Sequence, residues 1–128
     1  MAKTPIFLPG AKPPVGPFAP GVVAGPYLHI SGQVPLDPLS GELAGDTFEA
    51  QARQVMANVL AVLRAAGLGP QDLVRTNVYL ADIGDYDAMN RLYVEHFGES
   101  VTARTTTEVG RLWKDVRIEM DGLALVRG

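Results

Sequence analysis

From residue 46 to residue 67 the apolar side chains return every three or four positions: Phe48, Ala52, Val55, Val59 and Val62, with Met56, Leu60 and Leu63 beside them. That period predicts a helix of about 20 residues. Ala57, Ala61, Ala65 and Ala66 add propensity, Asp46 and Glu49 have capping-box spacing, and Gly67 supplies the stop. A long amphipathic helix must lay its stripe on another layer, and the following residues provide one. Residues 73–80 alternate, with Val74, Thr76, Val78 and Leu80 on one face and Arg75, Asn77 and Tyr79 on the other. Asp85 is placed to cap a second helix in which Tyr86, Met89, Tyr93 and Phe97 share a stripe that ends at Gly98. Two strands follow. Residues 105–109 are β-branched, and residues 116–126 set Val116, Ile118, Met120, Ala124 and Val126 against Arg117, Glu119 and Asp121.

Upstream, residues 1–26 hold seven of the ten prolines, which demands extended or turning backbone lying over a surface or an edge. Tyr27-Leu28-His29-Ile30-Ser31 alternates as a strand does, and Asp37-Pro38-Leu39-Ser40-Gly41 is a turn signal, so a hairpin-like excursion is predicted there. The predicted order is β-β-α-β-α-β-β in one domain spanning residues 1–128. Two helices cannot cover both faces of a sheet, so the class is α+β, with both helices packed on one face. Leu123 and Leu125 join the otherwise polar face, and a second apolar surface in so small a chain argues for oligomerisation.

Composition removes several functions. With no cysteine, thiol nucleophiles, iron–sulfur clusters and cysteine-based zinc sites are excluded. His29 and His96 lack a supporting carboxylate pattern, so no metal is expected. A net charge of −3 with eleven scattered basic residues gives no footprint for nucleic acid. The longest mostly apolar stretch, residues 55–63, contains Asn58 and is far short of the about 20 residues that cross a bilayer. The prolines near the start interrupt any signal-peptide apolar region, and a cytoplasmic location is predicted.

Three stretches resemble the Rid/YjgF (reactive intermediate deaminase) family. Ser31-Gly32-Gln33-Val34-Pro35-Leu36-Asp37-Pro38 followed by Gly41-Glu42-Leu43 is similar to the family's S-G-Q-I-P-L-D-P…G-E-L block. Ala103-Arg104-Thr105-Thr106-Thr107-Glu108-Val109, with Arg111-Leu112 and Lys114-Asp115, resembles its A-R-S-x-V-E-V-x-R-L-P-K-D signature, and Ile118-Glu119-Met120-Asp121 the strand after it. Order and spacing agree from about Gly16 to Val126. The resemblance implies a chorismate-mutase-like (YjgF-type) α+β fold assembled as a homotrimer with sites between subunits. It implies hydrolysis of 2-imino and 2-enamino acids to 2-keto acids and ammonia without a cofactor.

An imino acid carries a carboxylate beside an electrophilic C=N carbon, and a planar guanidinium takes a carboxylate through two parallel hydrogen bonds. Arg104 matches that position, against the alternative of an interface ion pair. Glu119 matches the acidic position that places water and moves protons, against a solvated charge on a strand face. Ser31, Gly32 and Gln33 would line the pocket, with Gly32 selected because the ligand approaches the backbone closely. Asn90 and Thr106, the latter where the family often has cysteine, complete the expected substrate contacts with Phe18. Asp37 is assigned to its turn, and Tyr79, Tyr86, Tyr93 and Phe97 to core or interface.

The chain departs from the family at Gly16-Pro17-Phe18-Ala19-Pro20-Gly21, where G-P-Y-S-Q-A is usual, so a pocket hydroxyl is replaced by a bare ring. Thr102 replaces a proline before Ala-Arg, and Trp113 replaces the proline of R-L-P-K-D. A ring without a hydroxyl offers only apolar contact, which favours imines with larger apolar side chains. Two other functions fit the resemblance. RNA cleavage is opposed by the acidic composition, and binding of 2-keto acids without turnover would stabilise the fold without releasing ammonia.

Overall fold

The structure, a computed structural model, describes residues 2–99 and 101–127. Among these residues six strands form one sheet: β1 (Thr4–Ile6), β2 (Gly21–Ala24), β3 (Tyr27–Gln33), β4 (Leu73–Leu80), β5 (Ala103–Glu108) and β6 (Ile118–Leu125), in the spatial order β1-β2-β3-β6-β4-β5. Every neighbouring pair is antiparallel except β4 and β5, which run parallel. Helices α1 (Phe48–Ala65) and α2 (Tyr86–Phe97) share one hydrophobic core with one face of this sheet. The α+β class with a mixed sheet and both helices on one face is therefore as the sequence predicts. No helix among the described residues is long and apolar enough to cross a membrane.

Alternation decides which side chains enter the core. Leu28 and Ile30 of β3, Val78 and Leu80 of β4, and Ile118, Met120 and Ala124 of β6 are buried against Val55, Val59 and Val62 of α1. At the end of α1, Gly67 takes a left-handed conformation (φ 75°), Leu68 N–H donates to the Leu63 carbonyl at 2.8 Å, and Leu68 closes over the core. Gly98 ends α2 as the cap residue itself, at positive φ (69°), its N–H donating to the Val94 carbonyl.

Several local expectations are corrected. The cap of α1 is Thr47, whose hydroxyl accepts from Ala50 N–H; Asp46 lies one residue too early, and Glu49 instead pairs with Arg53 and Arg91. Asp85 occupies the cap position of α2 but makes no side-chain cap bond, because a single 3₁₀ turn, Ile83–Asp85, leads into the helix. Val74 is exposed, since a bulge between Leu73 and Arg75 turns Leu73 inward in its place. The hairpin-like excursion at the Asp37 turn is present as a short antiparallel bridge between Leu36 and Leu43, with Asp37 N–H donating to the Glu42 carbonyl and Ala44 N–H to the Pro35 carbonyl, each at 2.9 Å. A further hairpin joins β2 and β3 across Gly25. The proline-rich start also contributes β1, and Pro5 fits there because an edge strand needs no donor on its open side.

Candidate functional site

Arg104 lies on edge strand β5 in register with Thr76, which is buried on the helix face. Its guanidinium therefore reaches beneath α2, where Tyr86, Met89, Asn90 and Tyr93 line one side of the helix. Nη2 donates to Asn90 Oδ1 at 2.6 Å and to the Tyr86 hydroxyl at 3.2 Å, and Nη1 lies 3.9 Å from the Met89 sulfur. The guanidinium carbon sits 5.0 Å from the centre of the Tyr93 ring and 5.7 Å from that of Tyr86. The Tyr93 hydroxyl is itself fixed between Thr76 and Thr102, at 2.8 Å from each. All these partners are neutral. Among the described residues no carboxylate lies within ion-pair distance of Arg104. Two residues along the same face, the Thr106 hydroxyl oxygen is buried and has no hydrogen-bond partner among the described residues. Such a group costs about 1–3 kcal/mol until something bonds to it.

Glu119 stands on β6 opposite Tyr79, on the other face of the sheet. Burial, with a smaller contribution from Asp121, holds its carboxyl above the usual glutamate range. Asp121 is fully engaged, accepting from Asn77 Nδ2 at 2.7 Å and from the Tyr79 hydroxyl at 2.8 Å, and that bond with desolvation pushes Tyr79 up to about 12. Glu119 rests against Gly32 so closely that a Cβ there would overlap its Oε2. The group that approaches the backbone at Gly32 in this structure is the Glu119 carboxylate.

The remaining predicted residues gather around Gly32. The Ser31 hydroxyl donates to the Ala19 carbonyl at 2.6 Å and its N–H to Pro20 at 2.9 Å, which ties the segment carrying Phe18 to β3. Gln33 folds back, donating to the Ser31 carbonyl at 3.0 Å beside a bulge in β3. Phe18, Gly32, Gln33 and Trp113 line a cavity of about 450 Å³, and Ser31 and Gly32 also border a hollow of about 400 Å³ with Arg75, Asn77 and Asp121. Asp37 serves its turn: one carboxylate oxygen accepts from Leu39 and Ser40 N–H, and these bonds lower its pKa.

The predicted residues thus fall into two groups. Arg104, Asn90 and Thr106 lie on or toward the helix face, whereas Glu119, Gly32, Ser31 and Phe18 lie together elsewhere, and Thr76 and Tyr79 show by their opposite parity on β4 that Arg104 and Glu119 face opposite ways. Within one chain they do not meet. Tyr86 and Tyr93, read from sequence as core or interface, are the aromatic neighbours of Arg104. Their spacing with Asn90 was visible, but only the β4–β5 register shows what lies beneath them.

These features define a small α+β protein with a guanidinium held by neutral groups on one sheet face and a partly buried carboxyl on the other. Residues 10–126 match the profile of the family described as Endoribonuclease L-PSP. The 2-iminobutanoate/2-iminopropanoate deaminase of Salmonella typhimurium is 42% identical over 130 residues, covering 99% of this chain and all of that protein. The YjgF gene product of Escherichia coli superimposes with a TM-score of 0.86 at 38% identity, covering 97% of this chain and 99% of the other. Escherichia coli TdcF, solved with bound serine, gives 0.88 at 34% identity over 98% and 99%. The chain belongs to the Endoribonuclease L-PSP family, known also as Rid/YjgF, and has its fold.

Proposed function

We propose that this protein hydrolyses 2-imino and 2-enamino acids to 2-keto acids and ammonia, at sites completed between copies of the chain in a homotrimer. The observation that carries the reading is the state of Arg104: a guanidinium oriented by neutral groups, with its charge left for a ligand. A carboxylate is the ligand that matches its fork. The naming of the Salmonella relative as an imine deaminase and the serine bound by the Escherichia coli relative agree with an amino-acid-shaped substrate.

In this reading Arg104 holds the substrate carboxylate, with Asn90 fixing the guanidinium and Thr106 offering its free hydroxyl. Glu119 of a neighbouring copy, next to Gly32 and Phe18, takes a proton from water as the oxygen adds to the C=N carbon. It returns that proton to nitrogen to give the carbinolamine, and a second transfer through the same carboxylate, from the new hydroxyl to nitrogen, lets ammonia leave as the carbonyl forms. A carboxyl held above its ordinary range by burial suits both transfers. Because Arg104 and Glu119 face opposite ways in one chain, assembly is needed to bring them to one substrate.

Imines generated in situ by an amino-acid oxidase should decay faster with the protein than without it, with matching ammonia release. Sedimentation at micromolar concentration should show three copies. Ligand-induced stabilisation without any acceleration would replace hydrolysis by binding, and a 13.7 kDa species alone would end the shared-site reading.

A further inference from the structure

The cavity beside Gly32 has no role in gripping the carboxylate or moving protons. Its volume of about 450 Å³ falls within the usual range of small-molecule pockets. Its wall is mostly apolar, with Pro14, Val15, Phe18, Leu36 and Trp113 among its residues. Of the polar side chains that border it, those of Asn58 and Asp37 are already occupied. Asn58 donates to the carbonyls of Val34 and Leu36 and accepts from Gln54, and the Asp37 carboxylate serves its own turn. The Lys12 stem lies along Gly41. A polar side chain entering here would find few free partners, while Phe18 and Trp113, 51% and 40% exposed, offer ring surface that gains by being covered.

Both rings are held in place. Phe18 is in the segment that Ser31 ties to β3 through Ala19 and Pro20. Trp113 begins a turn in which Lys114 and Asp115 both take left-handed conformations (φ 54° and 57°), closed by a two-bond pair from Arg111 to Asp115 at 2.7 and 3.2 Å. The Lys114 ammonium lies 4.8 Å from the centre of the indole. Gly32 joins the two chemistries, because it lines the cavity and also carries the Glu119 carboxylate against it.

Building on the deaminase reading, we infer that the Phe18–Trp113 cavity receives the side chain of the imino acid, so that imines of leucine or phenylalanine size are preferred to the imine of alanine. With the imine carbon beside Glu119, the substituent on that carbon has Gly32 as its neighbour and the cavity beyond it. Hydrolysis is unchanged in outline: water adds across C=N, ammonia departs, and the product is the 2-keto acid with the same side chain.

Decay of alanine-, leucine- and phenylalanine-derived imines is followed with the unmodified protein, Phe18→Tyr and Trp113→Ala, with Arg104→Ala as the control for the parent reading. The leucine-to-alanine ratio of kcat/KM should fall roughly tenfold in Trp113→Ala, and Phe18→Tyr should raise alanine-imine activity by about tenfold, the effect of one neutral hydrogen bond. An unchanged leucine-to-alanine ratio in all three proteins overturns the subsite while leaving deamination standing. Acceleration of no imine overturns deamination, and the subsite is then read separately. Trp113 is the single tryptophan, so its emission reports on the cavity directly. Titration with 4-methyl-2-oxopentanoate should shift that emission at concentrations about tenfold lower than pyruvate requires. Equal affinities, or no change in emission, overturn the subsite.

Discussion

Arg104 and Glu119 are carried by neighbouring regions of the same sheet, yet they are held by opposite means. Arg104 is surrounded: one amide, one hydroxyl, a thioether and two aromatic rings fix the guanidinium, and every one of them is neutral. Glu119 is placed by what is missing, the side chain that Gly32 lacks, and its environment disfavours its charge. A cation that never titrates in proteins can be fixed tightly without losing its function. A group that must gain and lose a proton is better left with few hydrogen bonds and a raised pKa.

The contrast breaks most sharply at Arg104. Arg104→Ala should lower kcat/KM by about a hundredfold or more, corresponding to the ~3 kcal/mol cost of losing a charge-assisted two-bond contact, with the melting temperature nearly unchanged. Arg104→Lys should also be poor, since an ammonium cannot reproduce the fork. Full imine hydrolysis by Arg104→Ala would remove this residue from the site.

Glu119→Gln should retain carboxylate binding and slow turnover by roughly a hundredfold, because an amide takes no proton. Its effect on stability has a defined sign. A carboxyl raised by folding binds more protons in the folded than in the unfolded state, so stability falls as pH rises through the ordinary value of 4.5 to the raised one and is flat beyond. Glu119→Gln should therefore melt higher than the unmodified protein at pH 7, and the gap should close below pH 4.5. A gap independent of pH would show that the carboxyl is not destabilised when ionised.

The smallest effects separate placement by an empty space from placement by bonds. In Gly32→Ala the new methyl must push the Glu119 carboxylate aside, which should reduce kcat by about tenfold with less change in KM. Tyr86→Phe keeps the ring beside Arg104 and loses one hydroxyl, worth about 1 kcal/mol, so KM should rise by roughly fivefold with kcat retained. Equal changes in both constants for both variants would erase the distinction.

Much of the fold is legible locally. The period of α1, the glycines that end both helices and the alternation of β6 depend on neighbours a few residues away, and they stand where the sequence puts them. β1 and β2 are not legible, because three- and four-residue strands between prolines acquire their identity from pairing. The displaced cap is a contest between adjacent residues, Asp46 and Thr47, that composition alone does not decide. The motifs single out Arg104 and Glu119 as candidates. Their surroundings depend on two long-range facts, the parallel register that slides Arg104 beneath α2 and the crossing that brings β6 against Gly32.

The central place of β6 also bears on how the chain reaches this state. The strand latest in sequence lies between β3 and β4, and Tyr27 pairs with Leu125 across about 100 residues. Until β6 inserts, β1–β3 and β4–β5 are two small sheets with open inner edges and no shared ladder. The entropy of closing so long a loop comes before the contacts that offset it. Folding should therefore be governed by the arrival of one strand, on the millisecond-to-second scale of non-local β topologies, and a lesion in β6 should leave adhesive edges rather than a merely weakened monomer.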